Sequence, residues 1–324
     1  MKIAFITTVL NEEENIILLL NSLLSQTKVP DEIIIVDGGS GDRTVRIIKE
    51  WISSLRNFKK TDEYRRKIKL IIKKGNRSVG RNEAIRKAKS EIIVCSDSGC
   101  ILDKDWVKNI VKPFNYKKID AVSGYYKGKT SSIFQKSLIP YVLVMPDKVK
   151  ADKFLPSSRS MAFKKKIWEK IGGFPVHLSN NEDFAFAKKL KKNGAKIVFK
   201  RNAIVYYLPR KNLLEAFTMF FRFAKGDSES GILRFKVVLI FIRYIIGFWL
   251  LIYAFYFRLV FIVEVFFYIL LLYVLWSIVK NYKYVRNKKA FFILPLIQIV
   301  SDFAVISGTI FGFIKGLWVT QKTR

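Results

Sequence analysis

VGRNEAIRKAKSEIIVCSDSGC, residues 79–100, carries a helical pattern, a short apolar run and a polar turn where one carboxylate, Asp97, leaves the strand. Upstream, KIAFITTV, EIIIVD and KIKLII are further runs rich in Ile and Val, and helical patterns over 12–26, 42–57 and 78–89 separate them. Four strands joined by three crossovers predict a mostly parallel, Rossmann-like α/β sheet with helices on both faces. Ligands on such sheets gather beyond the carboxyl ends of the strands. The stretches to watch are therefore TTVLNEE, DGGSGDRT, NRSVGRN and SDSGC.

Several chemistries drop out at once. No Gly-x-Gly-x-x-Gly follows the first strand and no Walker-type loop is present, which argues against a dinucleotide-dependent dehydrogenase or a P-loop enzyme. His177 is the single histidine, which excludes a His-rich metal site and argues against a Ser-His-Asp triad. Cys95 and Cys100 form neither a CxxC pair nor a Cys/His cluster, and they imply neither a zinc site nor a disulfide framework. MKIAFITTVLNEEEN turns acidic too early for a secretory signal and reads as the first strand.

The second half changes character. Of 324 residues, 50% are hydrophobic, and the apolar ones crowd beyond Phe235 into VVLIFIRYIIGFWLLIYAFYF, LVFIVEVFFYILLLYVLWSIV and FFILPLIQIVSDFAVISGTIFGFI. Each run is long enough for a hydrocarbon core of roughly 30 Å. The first two predict a hairpin turning near Arg258, with Arg243 snorkelling and Glu264 at another depth. Pro295, Asp302, Gly308 and Gly312 in the third run would suit a broken, re-entrant segment as well as a span. The net charge of +32 calls for an acidic partner. Anionic membrane lipids suit it better than nucleic acid, for which no binding signature is present. KNYKYVRNKK reads as a basic cytoplasmic loop.

Between the two halves, Asp120–Pro156 is irregular and broken at Pro140, Pro146 and Pro156, the composition of a flap over a substrate. Ser179 with Glu182 three places on reads as a capping box, with Asp183 in the first turn of the helix. KNLLEAFTMFFRFAKG puts Leu213, Phe217, Phe220 and Ala224 on one face, as expected of a helix in the membrane interface, a core-facing helix being the alternative. The expected organisation is a catalytic domain over 1–208, an interfacial helix and linker over 209–231, and a membrane region over 232–324 with two to three transmembrane helices.

In order, these motifs resemble the family 2 glycosyltransferases of GT-A fold. TTVLNEEENI is similar to the family's opening strand and Asn-Glu turn, IIIVDGGSGDRT to its Val-Asp-Asp-Gly-Ser segment, and VGRNEAIRKAKSEIIVCSDSGC to its Arg-Asn helix and DxD strand. SMAFKKKIWEKIGGFP and NEDFAFAKKLKKNG resemble its acceptor-side strand and Glu-Asp motif, and FFRFAKG its Arg-containing helix near the membrane. The resemblance implies that Thr8, Asn11, Glu12, Asp37 and Arg81 bind the nucleotide and that Asp97 faces the diphosphate, directly or through Mg²⁺ or Mn²⁺. It implies Asp183 as the general base of an inverting displacement, supported by Glu182.

The chain departs from the family pattern at four places. Leu10 stands where many members stack a Tyr on the base, Gly38 and Gly99 replace second aspartates, and Tyr206 and Tyr207 occupy the region of a metal-binding His. Asp97 is then the one remaining metal-ligand candidate, and Arg159 and Arg222 are candidates to neutralise the diphosphate. The expected activity is sugar transfer from a nucleotide-sugar to a lipid-linked or glycolipid acceptor at the cytoplasmic face of the cell membrane. Only Arg222 survives of the Gln-x-x-Arg-Trp of processive synthases, which favours single addition. The alternative is a membrane-anchored protein that binds a sugar nucleotide without transferring it.

Overall fold

The computed structural model describes residues 1–55, 64–116, 118–178 and 180–322. They form two compact units, one over Met1–Lys129 with Met145–Leu208, the other over Thr130–Val144 with the chain from Pro209 onward.

The first unit is built on a sheet of eight strands among the described residues. β1 (Ile3–Val9), β2 (Glu32–Asp37), β3 (Ile68–Ile72) and β4 (Ile92–Cys95) are parallel, in the order β3-β2-β1-β4. Helices α1 (Ile16–Leu24), α2 (Thr44–Ser54) and α3 (Arg77–Lys87) lie between them in sequence, as the alternating pattern predicts. Beyond β4 the sheet turns mixed. Next come β7 (Met161–Lys164) and β6 (Ala121–Gly128), each antiparallel to its neighbour on the β4 side, then β8 (Ile197–Tyr207) parallel to β6, and last β5 (Cys100–Leu102).

Burial on both faces explains why the parallel strands read as unbroken apolar runs. Ala4, Ile6, Ile34, Val36, Ile93 and Cys95 pack with Ala84, Ile85 and Ala88 of α3, and with Phe186 and Leu190 of α7 (Glu182–Lys192). On the alternate positions Phe5, Ile33 and Ile35 are equally buried, and Phe5 meets the edge of Trp106 at 6.2 Å in α4 (Trp106–Val111). A short α6 (Lys165–Lys170) follows β7.

The second unit gathers α5 (Ile133–Val142), α8 (Leu213–Glu229), α9 (Phe235–Tyr256), α10 (Val260–Val285) and α11 (Ala290–Lys322). α5 runs through Pro140, so the irregular middle of the sequence contributes a helix to this unit. Among the described residues three helices are long and apolar enough to cross a membrane: α9, α10 and α11 over Ala290–Lys315. Arg258 turns the hairpin in a left-handed conformation (φ 53°), and α10 continues through most of the basic stretch to Val285.

Three expectations are revised here. α11 is one unbroken helix with Pro295 inside it. Its Gly308 and Gly312 are sites of close approach: a Cβ on Gly308 would overlap the Phe221 carbonyl, and one on Gly312 would come within 2.6 Å of the Lys225 carbonyl. Small residues let helix backbones approach in this way. The apolar face of α8 is accordingly covered by protein, with Ala216, Met219 and Phe220 clustered with Leu138 of α5 and with Ile297 and Ala304 of α11. Arg243 is paired rather than solitary. Asp302 accepts from Arg243 Nη2 at 2.7 Å, Tyr244 at 3.2 Å, Tyr273 at 2.5 Å and Gln298 at 3.1 Å, so this buried carboxylate has donors on both oxygens.

Because α8 meets α11 through backbone atoms that cannot move aside, Gly308→Ala and Gly312→Ala are each expected to cost about 1–3 kcal/mol. Both should lower the melting temperature of the full chain in detergent. Gly99→Ala, which meets nothing within 4 Å, should stay within about 0.5 kcal/mol of the parent in the same melts.

Candidate active site

Beyond the carboxyl ends of β1 and β2, two turns are stitched into one floor. Asn11 takes a left-handed conformation (φ 53°), its N–H donates to Ser40 Oγ at 2.9 Å, and its Oδ1 accepts from the Gly41 N–H at 2.9 Å. The Glu12 N–H donates to Thr44 Oγ1 at 2.8 Å. Asp37 is fully buried and turned into its own loop, accepting from the Gly39 and Ser40 N–H groups at 2.9 Å and from Ser40 Oγ at 2.5 Å. Thr8 lies under α3, where a Cβ on Gly80 would come within 2.7 Å of its methyl group. These donor-side candidates are together, but they act first as a rigid loop scaffold.

The charged centre lies beside that floor. Arg81, 1% exposed on α3, donates from Nη1 to Glu182 Oε1 at 2.5 Å and from Nη2 to Asp97 Oδ1 at 3.0 Å. This places Arg81 between the two carboxylates, with one bond from each Nη. Glu182 is the first residue of α7 and 3% exposed, and its carboxylate meets Arg81. Ser179, the other half of the expected capping box, lies outside the described residues, and Asn181 stands at the N-cap in a left-handed conformation.

Asp183, one residue on, is held by a segment that the sequence reading did not single out. Its Oδ2 accepts from Ser157 Oγ at 2.9 Å and the Ser158 N–H at 3.0 Å and lies 3.2 Å from Ser158 Oγ, whereas among the described residues Oδ1 accepts only from the Phe184 N–H at 2.8 Å. A carboxylate oxygen offers about two lone-pair sites, so Oδ2 is saturated and Oδ1 keeps a site open. Ser158 Oγ also reaches Asp97 Oδ2 at 3.0 Å, so one buried hydroxyl touches both acids. Their separations from Ser158, 61 and 25 residues, leave no local spacing signal to read. Burial pushes the Asp183 pKa up, but the Arg81 charge, the Ser158 N–H, Arg159 and the Ser157 hydroxyl outweigh it and hold it below the usual carboxylate value.

Arg159 supplies the second cation. Its guanidinium lies over the Tyr207 ring at 4.8 Å and the Tyr126 ring at 5.6 Å, and its carbonyl accepts from Ser96 Oγ at 2.9 Å. Tyr207, in the region where the resemblance expects a His, pairs with Cys100 across β5 and β8. Tyr206 donates to Asp103 at 3.3 Å. Arg222 belongs to the second unit, exposed on α8.

Around Asp97 a divalent cation would find few protein ligands. Among the described residues no three His, Cys, Asp or Glu side chains come together to hold one. Asp97 already has a donor on each oxygen, one of them a guanidinium. Burial pushes the Cys95 thiol up to about 12 and raises that of Cys100 as well, so neither offers a thiolate. At one of the two missing aspartates the space is tight: a Cβ on Gly38 would sit 3.0 Å from the Gly75 carbonyl. At Gly99 the space is open, so sterics do not account for the glycine.

Gly99→Asp is therefore expected to fold and to raise Mn²⁺ affinity about tenfold or more in titration calorimetry, since a hard cation gains an oxygen ligand. Unchanged affinity would show that Arg81 and Ser158 keep Asp97 from any metal. Arg81→Met leaves Glu182 buried without its partner and should cost about 3–5 kcal/mol in chemical denaturation.

Comparison with known proteins agrees with this architecture. Residues 4–172 match the family described as Glycosyl transferase family 2. Glycosyltransferase AglE of Haloferax volcanii is 24% identical over 238 residues, 71% of this chain and 74% of that protein. The poly-beta-1,6-N-acetyl-D-glucosamine synthase of Staphylococcus epidermidis is 25% identical over 235 residues, 70% of this chain but only 55% of that longer protein. Among solved structures, the mannosyltransferase PcManGT of Pyrobaculum calidifontis superposes with a TM-score of 0.52 at 19% identity, over 70% of this chain and 62% of that one, a likeness of fold. With the matched segment covering β1 to α6 and the sheet curling as in GT-A proteins, the chain belongs to Glycosyl transferase family 2, a family of glycosyltransferases.

Proposed function

We propose that this glycosyltransferase moves a sugar from a nucleotide-sugar to a hydroxyl of a membrane-associated, lipid-linked acceptor, with inversion at the anomeric carbon. The observation that carries this reading is the asymmetry of Asp183, saturated on Oδ2 and open on Oδ1. A base fixed on one oxygen presents the other in a single direction. Asp183 Oδ1 takes the proton of the acceptor hydroxyl as its oxygen bonds to the anomeric carbon, and the bond from that carbon to the diphosphate oxygen breaks. The leaving nucleoside diphosphate carries away the electron pair, and its charge is met by Arg159.

Thr8, Asn11, Glu12, Asp37 and Arg81 are assigned to the donor side, Asp97 to the diphosphate, and Glu182 to the support of Asp183 through Arg81. The solved relative PcManGT was crystallised with GDP-Man and Mn²⁺, which supports a nucleotide-sugar donor of this kind. The guanidinium already on Asp97 supports weak metal dependence here. Attachment through apolar helices supports a lipid-linked acceptor, with the catalytic unit on the cytoplasmic face where sugar nucleotides are made.

The deciding experiment follows label from UDP-, GDP- and dTDP-sugars into lipid extract of the native host, using membranes with the parent chain or Asp183→Asn, each with and without EDTA. Label that falls about 10²–10⁴-fold in Asp183→Asn and survives EDTA is the expected result. No label with any donor would replace the reading with a sugar-nucleotide-binding protein. Because Asp183 is held below the ordinary carboxylate pKa, it stays ionised through neutral and mildly acidic pH, and the acid limb of kcat/KM should lie below the ordinary carboxylate range. The stability it contributes is present above the unfolded value and lost as pH drops through the lower folded one.

A further inference from the structure

We infer that α11, despite its length and apolarity, does not cross the membrane but lies along the face from which α9 enters, leaving α9 and α10 as the two spans. α9 and α10 are an antiparallel hairpin. Arg258 makes the turn, a Cβ on Gly247 would meet the Phe266 ring at 3.2 Å, and the Arg243 guanidinium covers the Tyr273 ring at 4.1 Å. Phe235 and Val285, the ends remote from the turn, therefore share one face of the bilayer.

Both ends of the apolar part of α11 belong to that face. Ala290 and Leu294 cluster with Val285 at the end of α10. At the other end, Lys315 Nζ lies 3.2 Å from Glu229, the last residue of α8. The linker from α8 to α9 is folded back, with Arg234 donating to Asp227 at 2.6 and 2.9 Å and the Ile232 N–H donating to the Asp227 carbonyl at 2.8 Å. Glu229 is thus held at the start of α9. A span over Ala290–Lys315 would carry Lys315 to the opposite face, about 38 Å away at 1.5 Å per residue.

The companion of α11 points the same way. α8 runs parallel beside it, Phe221 against Gly308, Lys225 against Gly312 and Glu229 against Lys315. α8 carries Glu215, Arg222, Lys225, Asp227 and Glu229. Asp, Lys or Arg at the centre of a bilayer costs about 2.5–3.5 kcal/mol per residue, so α8 cannot follow a spanning partner into the hydrocarbon. Phe292, Leu296, Phe303, Ile310 and Ile314 are exposed on α11, spaced four, seven, seven and four residues apart. They form one apolar stripe opposite the face that packs on α8, suited to the boundary of headgroups and acyl chains. Arg243 meets Asp302 in the direction that helical side chains lean, toward its own N-terminus and that face.

Impermeant maleimide labelling of the full chain, in sealed vesicles of each orientation, tests this. Cys95 and Cys100 are buried and give a low background. Lys288→Cys and Lys315→Cys should label from one side and Arg258→Cys from the other, and the pair Glu229→Cys with Lys315→Cys should crosslink on oxidation in the membrane. Labelling of Lys315→Cys from the side opposite Lys288→Cys establishes three spans and overturns the inference. So does Arg258→Cys labelling from the same side as the other two, or a Lys315→Cys that neither labels nor crosslinks.

Discussion

A guanidinium sealed beneath the carboxyl end of a sheet has to be matched by charge, and in this protein the match organises the catalytic unit. Arg81 reaches from α3 to Asp97 beyond β4 and to Glu182 at the start of α7, so three elements far apart in sequence are fixed by one buried cation. Removing either partner would leave a charge without compensation in a medium that does not tolerate it. Asp183 inherits its position from this arrangement. It follows Glu182 on α7, is turned by the Ser157–Ser158 backbone, and has its charge stabilised by Arg81 across the cluster.

The same cluster gives a physical reason for a degenerate metal motif. A second carboxylate beside Asp97 would gather negative charge that only a cation could offset. Here cations are already built in: Arg81 on one oxygen of Asp97, and Arg159 held over two tyrosine rings nearby. Two protein guanidinium groups thus belong to this cluster, and Tyr207 serves as the platform for one of them. Gly99, open on its side-chain face, records the change without a steric reason for it.

In the second unit the constraint is the closeness of α8 and α11. Two glycines bring the backbones together, and a parallel, charge-bearing neighbour then limits where α11 can lie. Length and hydropathy alone rank α11 with α9 and α10. Contacts at its two ends separate it from them.

The sequence by itself determined what depends on local pattern. Unbroken Ile- and Val-rich runs between helical stretches specify strands buried on both faces, and the four parallel strands follow. Asp97 and Asp183 were legible as site candidates because each sits at a strand end or helix start within an ordered set of motifs. Arg81 was legible as a site residue, yet its partners were not, since Glu182 lies 101 residues away. Ser158, Arg159 over Tyr126 and Tyr207, the Arg243–Asp302 pair and the role of Gly308 and Gly312 were decided by the tertiary structure. Each joins side chains or backbones that no period of 2 or 3.6 residues relates, and the energy that fixes them comes from burial shared between distant elements. A glycine in an apolar run reads equally as a break or as a close contact until its neighbour is known, and here the neighbour is the Phe221 carbonyl.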